Sequence, residues 1–108
     1  MPANFSIGSE RRGCDRRKLT AVLEIEWGST TLQGTVRDID SNGLFVALTP
    51  PLWLGARFSA RLISDATLRL ECTVRRVEPS VGNGVTFELP DEKDKNRLAE
   101  LLANLPLV

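Results

Sequence analysis

The chain contains no histidine and only two cysteines among its 108 residues. Cys14 lies in a polar, basic segment and Cys72 in an apolar strand pattern. We therefore expect no structural zinc site, which needs clustered cysteine and histidine ligands, and no disulfide framework. The chain also lacks a clear nucleophile–base pair and a glycine-rich loop that could hold phosphate groups, so we expect no enzymatic activity. We expect Cys72 to be a small buried hydrophobic residue. We expect Cys14 to be an ordinary exposed cysteine, with the alternative that the neighbouring arginines lower its thiol pKa and make it reactive.

An excess of one charge is also missing, because 14 basic and 14 acidic side chains cancel. A protein that binds nucleic acid non-specifically is normally basic overall. Zero net charge and an aromatic content of 6% therefore argue against a DNA or RNA partner. The charge is locally uneven, since residues 10–18 carry five positive and two negative side chains. Such a patch can attract a small anion without making the protein a nucleic-acid binder.

No stretch of the sequence approaches the roughly 18 apolar residues of a membrane-spanning helix. The N-terminus also lacks the apolar core of a secretory signal. A length of 108 residues suits one domain with one modest hydrophobic core. We expect a cytoplasmic protein that does not insert into membranes and exists as a monomer or weak dimer.

Alternation of apolar and polar side chains predicts six short β-strands. Leu23, Ile25 and Trp27, for example, alternate with glutamates, which gives the first strand one buried and one solvated face. A phase shift at Arg75-Arg76 predicts a β-bulge. Six antiparallel strands with one apolar face each are best closed into a barrel, because closure removes exposed edges. The strand patterns lie at residues 19–27, 31–37, 44–48, 57–62, 68–75 and 85–89.

The segments outside these strands differ in character. Residues 1–18 lack periodicity and predict a flexible arm, with the barrel and a C-terminal helix in residues 19–108. Asp91 is suited to cap the helix and to pair with Lys95 four residues on. Pro106 should end the helix. The helix has an apolar stripe that consists of Leu98, Leu101, Leu102 and Leu105. This stripe should pack on the barrel or, as the less favoured alternative, form a dimer face.

The loop between the third and fourth predicted strands contains two prolines and a tryptophan, in the run Pro50–Gly55. Proline excludes a central strand at this point. Trp53 is expected to plug the mouth of the barrel. The alternative is that Leu52, Trp53 and Leu54 form a surface that contacts another protein.

Two polar motifs could together hold a small anionic ligand. Arg12 and Arg16 are separated by three residues, and Arg11 and Arg17 flank them. Guanidinium groups bind phosphate bidentately, pair with the O6 and N7 edge of guanine, and stack on purines. Taken alone, however, the cluster fits a solvated basic tail better, because such arms are common.

The second motif is Asp38–Gly43, between two predicted strands. The carboxylate of Asp38 could accept the paired N–H groups of a guanine. Gly43 permits a positive φ or close approach of a ligand to the backbone. Taken alone, these residues also fit an ordinary turn.

The two motifs in this order resemble those of the PilZ family, the bacterial receptors for cyclic di-GMP. Arg12 and Arg16 match the RxxxR motif of that family, and Asp38 and Gly43 match the ends of its D/NxSxxG motif. The Pro-Pro-Leu-Trp-Leu-Gly loop, the Gly-Val-Thr-Phe strand and the leucine-rich helix extend the resemblance over roughly residues 9–105. The expected fold is thus a mainly β, six-stranded antiparallel PilZ-type barrel with an N-terminal arm and one C-terminal helix.

The resemblance implies that cyclic di-GMP is the ligand, with no metal or cofactor. One position departs from the motif, because Asp40 replaces its serine. Serine can donate a hydrogen bond, whereas an ionised aspartate only accepts, and Ser41 could supply the hydroxyl if the turn slips by one residue. The predicted ligand-binding residues are Arg11, Arg12, Arg16, Asp38, Asp40, Ser41 and Gly43.

The resemblance also implies a switch. The ligand would draw Arg12 and Arg16 onto the barrel face that bears Asp38 and Gly43, and an unidentified effector protein would read the reshaped surface. The alternative is a PilZ-like interaction module that does not bind nucleotide and works through protein contacts, for example in motility or surface attachment. Asp40 favours this alternative.

Overall fold

The computed structural model of the chain describes residues 16–108. The expectations for residues 1–15 of the predicted arm, including Arg11, Arg12 and Cys14, lie outside these residues. The first strand begins at Arg17, two residues before the strand pattern in the sequence. The elements are β1 Arg17–Trp27, β2 Thr30–Ile39, β3 Gly43–Ala47, β4 Arg57–Ile63, β5 Thr67–Glu78, β6 Gly82–Glu88 and α1 Glu92–Ala103.

The six strands form a closed antiparallel barrel in the order β1-β2-β3-β6-β5-β4, with β4 paired back to β1. All six pairings are antiparallel, and β3 pairs with β6 instead of with β4, the strand that follows it in the sequence. The loop 48–56 makes this crossover from β3 to β4. The prediction of a mainly β, six-stranded barrel followed by one helix is confirmed.

The core fills the inside of the barrel, because period-two alternation sends every second side chain inward. Leu23 and Ile25 of β1, Leu62 of β4 and Leu70 of β5 are completely buried. Cys72 belongs to the same core, as its sequence context predicted. Burial, with a smaller contribution from neighbouring Glu71, raises the pKa of the Cys72 thiol to about 12.

Strand β3 is covered on both faces. Phe45 points outward, yet it is only 7% exposed. The guanidinium carbons of Arg37 and Arg76 lie 5.9 Å and 5.7 Å from the centre of its ring. Arginine over an aromatic face is a favourable cation–π arrangement, so the two arginines shield a hydrophobic ring on the outside of the barrel.

Two bulges place arginines on this outer surface. The register of β5 against β6 shifts between Val74 and Arg76, which confirms the predicted bulge and leaves Arg75 as the extra residue. A second shift lies between Val36 and Asp38 of β2, with Arg37 as the extra residue. A bulge bends its strand and redirects the side chains that follow.

Helix α1 is fixed at its start by Asp91, whose Oδ1 accepts the backbone N–H of Lys93 at 3.0 Å. The predicted Asp91–Lys95 pair is wrong, since Lys95 pairs with Glu92 at 3.0 Å while Asp91 is engaged as the cap. Leu98 is buried, and the rest of the stripe packs against the barrel core. At 12 residues, α1 is not a helix that could cross a membrane, and residues 16–108 contain no other helix.

Trp53 does not plug the barrel. It is 65% exposed, and its ring meets that of Trp27 edge to face, with centroids 4.7 Å apart. Leu52 is the residue that enters the core. Its backbone is held from both sides by the side chain of Asn83, at 2.8 Å and 2.9 Å. Because this clamp turns Leu52 inward, the next side chain along the loop points to solvent.

Candidate ligand-binding site

A tight turn joins β2 to β3, and Asp40 is its centre. The Oδ1 atom of Asp40 accepts the backbone N–H groups of Asn42 at 2.7 Å and of Gly43 at 2.8 Å. The backbone N–H of Asp40 donates to the carbonyl oxygen of Gly43 at 2.9 Å. The residue is only 6% exposed. A side chain that closes its own turn in this way holds the loop in one conformation.

Gly43 is needed because β3 and β6 approach each other closely. A Cβ atom at this position would lie 2.5 Å from the carbonyl oxygen of Val85. Its φ does not lie in the left-handed region. The packing of a neighbouring strand, and not a positive φ, is therefore the structural reason for glycine here.

The side chain of Arg16 reaches this turn from the residue that precedes β1. Its Nη1 donates to Oδ1 of Asp38, and its Nε lies 3.7 Å from Oδ2 of Asp40. Two carboxylates thus hold one guanidinium, and Asp40 uses its two oxygens for different partners. The Arg16 side chain remains 41% exposed, so it is still accessible from solvent.

The backbone of Arg16 is held by the C-terminal end of the chain. The N–H of Val108 donates to the carbonyl oxygen of Arg16 at 3.0 Å, and the N–H of Lys18 donates to that of Pro106 at 2.8 Å. Arg17 and Leu107 form the antiparallel bridge between these bonds. The segment after α1 therefore helps to fix where the Arg16 side chain begins.

Arg16, Asp40 and Gly43 line a cavity of about 210 Å³ on the outside of the barrel. Arg75 and Arg76 of β5 form part of its wall. The Nε of Arg75 donates to Oγ1 of Thr86 at 3.1 Å, and Arg76 pairs with Glu78 at 2.7 Å. Arginines bind phosphates and guanine edges, and carboxylates accept from guanine N–H groups. The arrangement is therefore suited to an anionic ligand with polar base edges.

The structure brings four of the predicted residues together at the turn: Arg16, Asp38, Asp40 and Gly43. Ser41 does not join this group. It lines a different cavity, together with Leu98 and Leu102 of α1. Asp40, and not Ser41, faces the turn amides, so the turn keeps the spacing of the motif without a slip.

The residues at the cavity that were not predicted include Phe45, Arg75 and Arg76. The phase shift at Arg75-Arg76 was a usable signal, because it marked the bulge that turns these side chains outward. For Phe45, the only signal was an apolar residue on the solvent side of a strand. Of the remaining predictions, Arg11 and Arg12 lie outside residues 16–108.

A metal centre is not formed by the part of the chain that the structure describes, since no three histidine, cysteine, aspartate or glutamate side chains there are grouped to hold an ion. The charged groups at the turn are arginines paired with carboxylates. Groups of this kind are suited to binding organic anions and base edges.

Solved structures with a similar fold include a PilZ domain, a transcription regulator and an inhibitor of motility. The PilZ domain of YcgR from Escherichia coli, solved with c-di-GMP, has a TM-score of 0.71 and 13% identity, covering 88% of this chain and 91% of that one. The c-di-GMP-dependent transcription regulator MrkH has a TM-score of 0.74 and 14% identity over 87% of this chain and 50% of its own. MotI/DgrA of Bacillus subtilis, an inhibitor of motility, has a TM-score of 0.67 and 16% identity over 86% of this chain and 49% of its own.

These identities are low, so the similarities establish the fold. The chain spans about half the length of MotI and MrkH. A comparison with curated proteins finds no significant match. A comparison with models of protein families matches residues 10–104 to the PilZ domain, a range that includes both polar motifs, the whole barrel and α1. The chain belongs to the PilZ domain family.

Proposed function

We propose that this PilZ domain is a receptor for cyclic di-GMP that signals to a partner protein. PilZ domains act as receptors and adaptors and not as enzymes, and YcgR and MrkH have been solved in complex with c-di-GMP. The observation that carries the proposal is the position of Arg16, whose guanidinium lies against Asp38 and Asp40 beside a cavity on the outer face.

The ligand offers the groups that this site can recognise. Cyclic di-GMP has two phosphodiester anions and two guanines. The guanidinium of Arg16 can pair with a phosphate or with the O6 and N7 edge of guanine. The carboxylate of Asp38 accepts a hydrogen bond from Arg16 through one of its oxygens. This carboxylate can also accept hydrogen bonds from the N1–H and N2–H₂ groups of the same guanine. An arginine and a carboxylate side by side therefore match both the accepting and the donating edges of guanine.

The replacement of the motif serine by Asp40 is compatible with this function. One carboxylate oxygen closes the turn by accepting two backbone N–H groups, a role that a serine oxygen could also fill. The other oxygen faces Arg16. The negative charge of Asp40 is therefore directed at an arginine and at backbone amides, so its repulsion of a bound phosphate is reduced.

The arm completes the proposed site. Arg12, with Arg11 beside it, joins Arg16 around the ligand. The predicted arm of residues 1–18 changes conformation in its part before Arg16, while the barrel, which begins at Arg17, and the helix are kept. Ordering the arm costs conformational entropy, which charge-assisted hydrogen bonds to the ligand must exceed. The ordered arm then presents a new surface to a cytoplasmic effector, as in the control of motility or biofilm formation.

The alternative function is an interaction module that does not bind nucleotide. Two observations favour it. Arg16 already has two carboxylate partners, so a ligand phosphate must compete with Asp38 and Asp40 for it. In addition, Trp53 and Leu54 expose 65% and 66% of their surface at one end of the barrel, where they could contact a protein.

Calorimetric titration with cyclic di-GMP at moderate salt tests the proposal. The natural chain should bind saturably, Arg16→Ala should reduce the affinity by at least tenfold, and Asp40→Ser should bind at least as well as the natural chain. Arg61→Ala is the matched control, because Arg61 is a surface arginine paired with Glu24 and lies outside the cavity. No binding by the natural chain, with recovery in Asp40→Ser, would instead support the interaction module.

A further inference from the structure

The cavity at Arg16 is small for a ligand with two nucleotides. Its volume is about 210 Å³, whereas pockets for ligands of this size range usually have about 300–1,000 Å³. A second, larger groove of about 620 Å³ adjoins it on the same outer face. The cavity and the groove share Asn42, Arg75 and Thr86 as walls. The two together form one continuous surface of sufficient size.

Arg75 stands at the junction of the cavity and the groove. As the extra residue of the β5 bulge, it points out of the barrel. Its Nε–H is engaged by the hydroxyl of Thr86 at 3.1 Å, which fixes the direction of the guanidinium. A guanidinium has five N–H donors, so the four on the terminal nitrogens remain for a ligand. An arginine oriented in this way is suited to hold a phosphate between two halves of a ligand.

The groove beyond Arg75 carries two carboxylates. Glu71 of β5 and Glu88 of β6 are directly opposite each other in the strand register. Like charges in this position repel. The hydroxyl of Ser59 donates to both oxygens of Glu71, at 2.8 Å and 2.9 Å, which partly satisfies that carboxylate. The side chain of Glu88 has no hydrogen-bond or ion-pair partner in residues 16–108, so it is the better acceptor for an incoming N–H edge.

We propose that this groove holds the second nucleotide of cyclic di-GMP, with Arg75 bound to a phosphate and Glu88 accepting from the N1–H and N2–H₂ of the second guanine. The inference rests on the proposed receptor function and extends it to residues outside both sequence motifs. The second subsite then repeats the chemistry of the first, in which an arginine stands beside a carboxylate.

Titration of three variants with cyclic di-GMP tests the role of each residue. Arg75→Ala and Glu88→Gln should each weaken binding by about 10- to 100-fold, the size expected for one charge-assisted hydrogen-bonded contact. Arg75→Lys keeps the charge but loses the fork, and it should recover only part of the loss. Arg61→Ala should bind within about twofold of the natural chain, since Arg61 lines neither cavity.

Backbone amide NMR of the natural chain provides a readout that does not depend on variants. Saturating cyclic di-GMP should shift the signals of Ser59 and Glu88 in the groove as well as those of Asn42 and Gly43 at the turn. Dispersed spectra of each variant establish that it is folded.

The outcomes separate the two proposals. Normal affinity in Arg75→Ala and Glu88→Gln, with binding lost in Arg16→Ala and shifts confined to the turn, would overturn the second subsite and leave the receptor function standing. A natural chain that does not bind cyclic di-GMP would overturn both.

Discussion

Asn83 and Leu52, 31 residues apart, are joined by two hydrogen bonds. The side-chain oxygen of Asn83 accepts from the backbone N–H of Leu52, and the side-chain nitrogen of Asn83 donates to the backbone carbonyl of Leu52. Asn83 is 1% exposed, and its Nδ2 also donates to the carbonyl oxygen of Arg76 at 3.3 Å. This pair fastens the crossover loop to β6. It also sets which side chains of the loop are buried.

Replacing this amide should therefore destabilise the whole barrel. We expect Asn83→Ala to lower the free energy of unfolding by about 2–4 kcal/mol, because it leaves buried backbone groups of Leu52 without partners. Chemical denaturation followed by tryptophan fluorescence measures the change. Asn104→Ala is the control, since Asn104 donates an exposed side-chain hydrogen bond to Glu100, and it should cost less than about 1 kcal/mol. Equal losses in both variants would contradict the assigned role of Asn83.

Gly43→Ala should damage the contact between β3 and β6. The added methyl group would meet the Val85 carbonyl oxygen at 2.5 Å, and we expect a loss of about 1–3 kcal/mol in unfolding free energy. Thermal unfolding and amide hydrogen exchange in β3 provide the measurement. Gly28→Asn is the comparison, because Gly28 has a φ of 63° with nothing within 4 Å of a Cβ, and asparagine tolerates that conformation. A Gly43→Ala protein as stable as the natural chain would show that the two strands separate easily.

Cys72 should make stability fall at high pH. Its thiol has a pKa of about 12 in the folded protein against 9.0 for an ordinary cysteine, so the unfolded chain releases this proton first. The contribution is fully present below pH 9 and is lost as the pH rises from there toward 12, at up to about 1.4 kcal/mol per pH unit. Unfolding free energies in a Cys14→Ser background between pH 8 and 11 measure it. Cys72→Ala should remove this component, and an unchanged pH dependence in that variant would refute it.

The C-terminal segment should influence the affinity for cyclic di-GMP through Arg16. Deleting Leu107 and Val108 removes the hydrogen bond to the Arg16 carbonyl and the bridge to Arg17. We expect the truncated chain to bind the ligand about 3- to 10-fold more weakly, an effect of roughly 1 kcal/mol for one lost hydrogen bond. Calorimetry measures the affinity, and Leu54→Ser, which changes an exposed leucine elsewhere, is the control. Undiminished affinity after truncation would mean that β1 alone positions Arg16.

The sequence was sufficient to predict most of the fold. The alternation in β1 identifies a strand because successive side chains point to opposite faces of the sheet. Asp91 marks the start of α1 because its side chain accepts a hydrogen bond from the backbone N–H of Lys93, only two residues away. Trp53 was predicted wrongly because its direction depends on the Asn83–Leu52 pair, and no local pattern links residues so far apart. The cover over Phe45 likewise depends on arginines from two other strands.

The candidate site was predictable only in part. The motifs singled out Arg16 and Asp38, and the barrel brings them into contact across 22 residues. The sequence could not decide between Asp40 and Ser41, because that choice depends on which side chain faces the turn amides. Arg75 lies outside both motifs and reaches the site through the pairing of β5 with β6, which is a long-range property of the fold.

Closure of the barrel limits how a partner can be recruited. Each strand from β1 to β6 is hydrogen-bonded to a neighbour on both sides, so no strand of the described barrel has an edge that is unpaired along its whole length, to which an incoming peptide could add as a further strand. Binding by β-augmentation along a full strand is therefore closed to it. Any effector that recognises the barrel must read side chains, and a systematic alanine scan of its outer face would therefore reveal the recognition surface.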